Sequence, residues 1–125
     1  MSGYNHDLFH LDDSGIIRMA YECELEGSGF SVANGVVLSD LANYLESQRA
    51  RAYLLDGNFP RFDDDTEDLL AFEAVEMIRE KDPQAKIGIM TSQRDLEGRI
   101  ESIKARFFDK NKTDPKDIAA WLRAA

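Results

Sequence analysis

The stretch Tyr53-Leu54-Leu55-Asp56-Gly57 is a short apolar run that ends in an acid and a glycine. A second run, Asp7-Leu8-Phe9-His10-Leu11, ends in the adjacent acids Asp12 and Asp13. Each run is predicted to belong to a β-strand. A strand that is apolar along its length is typical of a parallel sheet covered by helices on both faces. Because the carboxyl ends of parallel strands meet at one edge of the sheet, we expect the three acids to lie close together there.

Three carboxylates at one place repel one another, so their pKa values are expected to be raised. A hard divalent cation would stabilise them, and Mg²⁺, which prefers oxygen ligands, is the natural candidate. The sequence therefore predicts an acidic Mg²⁺ pocket formed by Asp12, Asp13 and Asp56.

The rest of the chain alternates between strand and helix patterns. The predicted strands cover residues 7–11, 30–33, 50–55, 86–91 and 106–108. Five helices are predicted. The first covers Ser14 to Gly27, the second begins after a cap at Ser39, and the third ends at Asp82-Pro83. The fourth contains Leu96, Ile100 and Ile103, and the fifth begins at a cap at Asp114. This (βα)₅ pattern predicts an α/β protein with a doubly wound, five-stranded parallel sheet.

Apolar stripes indicate which side of each helix is buried. In the first helix Ile16, Ala20 and Cys23 share one stripe, and Cys23 is interpreted as a buried small hydrophobe. The stripes predicted for the later helices are Leu41, Tyr44 and Leu45; Phe72, Val75 and Ile78; Leu96, Ile100 and Ile103; and Ile118, Trp121 and Leu122.

Composition limits the functional class. The 125 residues predict one domain, 1–125, with no output domain. A net charge of −9 argues against a nucleic-acid partner, which would require a basic face. No apolar run approaches the roughly 20 residues of a membrane span, and the N-terminus lacks the pattern of a signal peptide. With a single cysteine, Cys23, the chain is predicted to be cytoplasmic, without a membrane partner.

Four motifs resemble, in type and order, the phosphoacceptor site of CheY-like receiver domains of two-component response regulators. They are Asp12-Asp13, Asp56-Gly57-Asn58-Phe59-Pro60, Met90-Thr91-Ser92 and Phe107-Phe108-Asp109-Lys110. The resemblance covers the whole chain and implies a stand-alone receiver with a flavodoxin-like fold.

The resemblance also implies roles for single residues. Asp56 would be the phosphoacceptor. Mg²⁺ would bind to Asp12, Asp13, Asp56 and the backbone carbonyl of Asn58. The implied contacts to the phosphoryl group are Thr91 and Lys110, and Phe107 falls at the position of a switch aromatic.

The same resemblance implies the partners. The donor would be a phosphohistidine on a sensor histidine kinase or a histidine phosphotransfer protein, and an output partner of unknown identity would recognise the phosphorylated surface. The chain would not be an enzyme in the usual sense, because it would catalyse only its own phosphotransfer and dephosphorylation.

Two features depart from the family pattern. The acidic segment 61–68 is longer than the usual loop. Its acids Asp63, Asp64, Asp65, Glu67 and Asp68 either rim the pocket or form a solvated loop with an acidic first turn for the next helix. Asn111 follows Lys110 where the family has a proline joined by a cis bond, so a trans bond is expected here.

Two other functions are open at this point. The chain could be a degenerate receiver that binds a partner without phosphotransfer. It could also be a small Mg²⁺-dependent phosphatase with Asp56 as nucleophile, although Asn58 stands where a second catalytic acid would be needed. His6 and His10 are interpreted as incidental rather than as a metal-binding pair.

Overall fold

A computed structural model of the protein describes residues 3–63 and 65–124. The strands of this part are β1 (His6–Leu11), β2 (Val32–Gly35), β3 (Ala50–Asp56), β4 (Phe59–Pro60), β5 (Glu67–Asp68), β6 (Lys86–Thr91) and β7 (Arg106–Asp109). The α-helices are α1 (Gly15–Gly27), α2 (Leu38–Ser47), α3 (Ala71–Lys81), α4 (Glu97–Ser102) and α5 (Pro115–Arg123). No helix in the described ranges is long and apolar enough to cross a membrane.

Five strands form one parallel sheet in the order β2-β1-β3-β6-β7. The predicted (βα)₅ doubly wound fold is therefore confirmed. The chain runs outward from β1 to the edge strand β2 and then returns to β3 on the other side of β1. In this pairing Leu11 lies opposite Leu55, so the residues that follow them, Asp12 and Asp56, emerge side by side. Ligands of such sheets bind where the strand order reverses, and here that point is the end of β1 and β3.

The sheet separates two apolar layers because alternate strand residues point to opposite faces. One layer joins Phe9, Leu11 and Leu55 to α2, α3 and α4. The other joins Leu8 and Leu54 to α1 and α5. Both central strands are thus buried on two sides, which explains why their sequences are almost continuously apolar.

The predicted stripe of α1 is wrong. Ile16 is 84% exposed and Cys23 is exposed, so Cys23 is not a core residue. The buried residues are Tyr21 and Leu25, with Ile17 packed beside them. Both stripes have helical spacing, and periodicity alone does not say which of two neighbouring stripes meets the sheet. The stripe that covers the sheet carries the larger side chains, and so it removes more apolar area from water.

The stripes predicted for the later helices are confirmed. Leu41, Leu45, Val75, Ile78, Ile100, Ile118, Trp121 and Leu122 are buried, while Tyr44, Phe72, Leu96 and Ile103 are partly buried against the core. The final helix begins as predicted, because the Asp114 side chain accepts hydrogen bonds from the N–H groups of Lys116 and Asp117.

The start of β2 and the cap of α2 differ from the prediction. Strand β2 begins at Val32 rather than Phe30, because the N–H of Phe30 still donates to the carbonyl of Leu25 at the end of α1. Helix α2 is not capped by Ser39. The Asp40 carboxylate instead accepts the N–H of Val37, the residue that precedes the helix.

The segment after β3 forms a short hairpin that the sequence did not predict. Strands β4 and β5 pair antiparallel, with Pro60 opposite Glu67. The Arg61 guanidinium makes two hydrogen bonds to the Glu73 carboxylate, of 2.7 and 2.8 Å, which join the hairpin to α3. The acidic segment is therefore folded back over the same edge of the sheet as Asp56.

Candidate functional site

Three carboxylates meet at the ends of β1 and β3. Asp12, Asp13 and Asp56 each offer an oxygen within 4.8 Å of the others. Asp12 is fully buried and Asp56 is 7% exposed, whereas Asp13 is half-buried. The structure thus brings together the three acids that the strand ends indicated.

Only one of the two carboxylate oxygens of Asp12 accepts a hydrogen bond among the described residues. Its Oδ1 accepts the N–H of Ser14 at 2.8 Å, and its backbone carbonyl accepts a hydrogen bond of 2.5 Å from Arg18. Its Oδ2 is buried and has no hydrogen-bond partner within the described part of the chain. Burial raises the pKa of Asp12 above its ordinary value. A buried oxygen of this kind is stable only when a donor or a cation reaches it.

Asp56 is paired with the cation Lys110. The Nζ atom of Lys110 lies 3.0 Å from Asp56 Oδ1. Burial, and then repulsion from Asp12, raise the pKa of Asp56 to about 6, although Lys110 acts in the opposite direction. Burial lowers the pKa of Lys110, but its hydrogen bond to Asp56 and the nearby acids raise it by more. Lys110 is positioned by the end of β7, where its N–H donates to the carbonyl of Thr91.

Thr91 ends β6 beside the acceptor and is 2% exposed. Its hydroxyl oxygen accepts the N–H of Gln93 at 3.1 Å. The hydroxyl proton therefore stays available for donation. Gly57, which follows Asp56, packs directly on this residue: a Cβ at position 57 would lie 2.9 Å from both the Cβ and the hydroxyl oxygen of Thr91.

The remaining motif residues lie around this centre. Asn58 is half-buried in the turn after Gly57, and Ser92 is exposed. Phe107 is partly buried against the core, and its role as a switch stays a prediction. The described residues contain no cis peptide bond, so the bond between Lys110 and Asn111 is trans as predicted.

The hairpin adds a fourth acid to the site. The carboxyl groups of Glu67 and Asp13 lie near each other, and their interaction raises the pKa of Glu67. Asp65 and Asp68 instead accept N–H groups of their own loop, from Phe62 and Leu69. Asp63 is exposed, and Asp64 lies outside the described residues. Sequence reasoning left open whether these five acids rim the pocket or form a solvated loop, and it had no means to single out Glu67, because the β4–β5 pairing was not recognised.

His10 is a site residue that sequence reasoning missed. It is fully buried, and its Nε2 lies 4.0 Å from Asp12 Oδ2. Burial, followed by the charges of Arg18 and Lys110, lowers the pKa of His10 to about 3. His6 contacts Tyr44 instead, so the two histidines do not form a pair. The available signal was a polar residue within an otherwise apolar central strand.

The donor set fits a hard divalent cation. All three clustered groups are carboxylates, the ligands that Mg²⁺ accepts. Lys110 supplies one positive charge against three acids, and Asp12 Oδ2 has no hydrogen-bond partner among the described residues. A cation bound there would satisfy that oxygen and offset the remaining repulsion.

Comparisons with solved structures identify the fold. A CheY-like receiver domain from Methanospirillum hungatei aligns with a TM-score of 0.76 at 19% identity, over 93% of this chain and 89% of that one. The chemotaxis response regulator CheY4 of Vibrio cholerae gives 0.75 at 18% identity, over 93% and 94%. The non-phosphorylated HemR receiver domain of Leptospira biflexa gives 0.76 at 17% identity, over 94% of each chain.

No protein-family model and no curated protein matches the sequence. The likeness to these solved structures is therefore a likeness of fold at low sequence identity. It confirms that the chain has the fold of CheY-like receiver domains, as the four motifs implied.

Proposed function

We propose that this protein is a receiver that accepts a phosphoryl group on Asp56, with Mg²⁺, from a phosphohistidine of a sensor histidine kinase or a histidine phosphotransfer protein. One observation carries the proposal: the Asp56 carboxylate, at the end of β3, belongs to the acid cluster and is paired with the Lys110 ammonium. Phosphorylation would then change a surface that an output partner recognises. The chain would act on no other substrate.

The transfer is a displacement at phosphorus. An Asp56 oxygen forms the new bond to phosphorus while the bond from phosphorus to the donor imidazole breaks, and the imidazole nitrogen keeps the electron pair. Protein groups contribute mainly position and charge in such a reaction. Lys110 is already in contact with the acceptor and offsets negative charge on the arriving group. Thr91 has a hydroxyl proton free to donate to a phosphoryl oxygen.

Asp12, Asp13, Asp56 and the carbonyl of Asn58 would hold Mg²⁺. When bound, the ion supplies positive charge that offsets the repulsion between the acceptor and an anionic phosphoryl group.

The decisive experiment is binding of beryllofluoride, a mimic of the phosphoryl group, in the presence of Mg²⁺. The similar DrrB and NtrC receiver domains have been determined in BeF₃-activated form. We expect a bound ¹⁹F NMR signal for the parent protein and none for Asp56→Asn. A parent protein that binds no beryllofluoride would favour the degenerate receiver instead.

The phosphatase alternative gains no support from the site. A phosphatase that uses Asp56 as nucleophile needs a general acid near the leaving group. Asn58 stands two residues beyond Asp56, and its amide cannot donate a proton in that way.

Mg²⁺ is expected to stabilise the folded protein, because the folded pocket binds the ion and the unfolded chain does not. At a Mg²⁺ concentration of 100 times its Kd the gain would be about 2.7 kcal/mol in the free energy of unfolding. Asp13→Asn should reduce this gain and, by lowering repulsion in the pocket, should make the metal-free protein no less stable than the parent. Denaturant unfolding with and without Mg²⁺ measures both effects. A parent protein whose unfolding ignores Mg²⁺ would contradict the metal site.

Glu67 is expected to slow phosphorylation by small anionic donors, because its carboxylate adds negative charge beside Asp13. Glu67→Gln should increase the rate with acetyl phosphate several-fold at low salt, and less at high salt, where the field is screened. Asp63→Asn is the matched control, since Asp63 belongs to the same loop and is exposed. Equal rates for the parent and Glu67→Gln at low salt would show that the hairpin has no electrostatic role.

A further inference from the structure

His10 has an unusual environment for a histidine. It is fully buried on β1, and neither ring nitrogen has a hydrogen-bond partner among the described residues. The nearest polar ring, Tyr21, stands with its centroid 5.2 Å away. Its hydroxyl donates elsewhere, within 3.5 Å of the Met90 sulfur and 3.4 Å of the Thr113 carbonyl. Tyr21 therefore does not satisfy His10.

One acceptor lies within reach of the ring. Asp12 Oδ2 is 4.0 Å from His10 Nε2, and it is itself buried and without a partner among the described residues. This separation exceeds a hydrogen bond by about 1 Å, so a small rotation of either side chain would close it. The other Asp12 oxygen is already fixed by the N–H of Ser14. The His10 ring can donate a hydrogen bond and Asp12 Oδ2 can only accept one. Neither group has another hydrogen-bond partner in the described part of the chain.

We propose that His10 is a positioning residue for Asp12: its Nε2–H donates to Asp12 Oδ2 and holds the carboxylate in the orientation that meets a divalent cation. A neutral imidazole carries its proton on one nitrogen, and a facing carboxylate favours the tautomer with the proton on Nε2. With Ser14 on one oxygen and His10 on the other, the carboxylate plane is fixed at both ends. Hydrogen bonds of this kind to metal-binding carboxylates set the affinity of the site.

The role in metal binding rests on the proposed function, but the hydrogen bond belongs to the metal-free protein and is tested separately. In the parent protein we expect the ¹⁵N chemical shifts of the His10 ring to report the Nε2–H tautomer without Mg²⁺. A ring with its proton on Nδ1 would overturn the inference. This measurement needs no variant and does not depend on whether Mg²⁺ binds.

Metal affinity provides the second arm, measured by calorimetric titration with Mg²⁺. His10→Leu removes the donor and should weaken binding about tenfold, whereas His10→Gln, which keeps an N–H near the position of Nε2, should stay close to the parent. His6→Leu is the matched control, because His6 contacts Tyr44 away from the site. A merely structural histidine would not produce rescue by Gln.

The outcomes separate the two proposals. A folded His10→Leu that binds Mg²⁺ as tightly as the parent would overturn the positioning role. A parent protein that binds no Mg²⁺ would contradict the proposed function, while the tautomer measurement would still decide the hydrogen bond. If His10→Leu fails to fold, the tautomer and the affinity of His10→Gln carry the test.

Discussion

Asp56→Asn is expected to abolish phosphorylation of this protein. The amide that replaces the carboxylate has no nucleophilic oxygen anion, and no other acid of the described residues occupies the position between the clustered acids and Lys110. Intact-mass analysis after incubation with a phosphohistidine donor should show one added phosphoryl group in the parent protein and none in the variant. The added group should be labile in base, as an acyl phosphate is.

Asp109→Asn is the matched control for this experiment. Asp109 ends β7 at the same edge of the sheet, where it faces Arg94 rather than the cluster. The Asp109→Asn variant should take up one phosphoryl group, as the parent protein does. Equal labelling of Asp56→Asn and the parent protein would show that the acceptor is another residue.

In the metal-free protein, the Asp56 carboxyl is expected to make a contribution to stability that falls as the pH rises from about 4 to about 6. The ordinary pKa of an aspartate carboxyl is 3.8, and burial together with repulsion from Asp12 raises the pKa of Asp56 to about 6 in the folded state. Between these values the Asp56 carboxyl is protonated in the folded state and ionised in the unfolded chain, so its contribution to the free energy of unfolding falls as the pH increases. His10, whose pKa burial lowers to about 3, contributes in the opposite direction over the same range, so the Asp56 effect is expected in the difference between the parent protein and Asp56→Asn. A difference of about two pKa units corresponds to roughly 3 kcal/mol. The stabilising contribution is complete below about pH 4 and lost above about pH 6.

Asp56→Asn should remove the Asp56 contribution, so its stability relative to the parent should increase as the pH rises from about 4 to about 6, and it should be more stable than the metal-free parent at pH 7. Asp12, whose pKa burial also raises, contributes a slope of the same sign in both proteins. Urea unfolding between pH 4 and pH 8 in the presence of a chelator measures the effect, with Asp109→Asn again as control. A stability difference between the parent protein and Asp56→Asn that stays constant over this range would mean that Asp56 is not buried as an uncompensated carboxylate.

The sheet and the acid cluster were predictable because they depend on strong local signals. A strand buried on both faces has to be largely apolar, and β1 and β3 carry the apolar runs Leu8-Phe9 and Ala52-Tyr53-Leu54-Leu55. Strand ends in a parallel sheet converge, so an acid after each of two neighbouring strands predicts a carboxylate cluster without any knowledge of contacts. Asp12, Asp13 and Asp56 follow from this rule alone.

Other features were not predictable, for physical reasons that differ from one to the next. The stripe of α1 depends on which of two adjacent helical faces meets the sheet, and Ile16 and Ile17 are equally apolar in the sequence. The β4–β5 pairing has only two residues in each strand, too few for an alternating pattern. The position of Glu67 beside Asp13 follows from that pairing. His10 looks like a random polar residue until the partnerless oxygen of Asp12 is seen beside it.

The contact between Gly57 and Thr91 links two sequence positions that are far apart in the chain. Any side chain at position 57 would occupy space that the side chain of Thr91 already fills. The two positions therefore share a fixed volume, and a larger residue at one demands a smaller residue at the other. In related sequences this would appear as paired exchange between the residue after the acceptor and the residue that ends β6. A substitution at position 57 would therefore displace the Thr91 hydroxyl, although residue 57 itself contributes no polar side chain to the site.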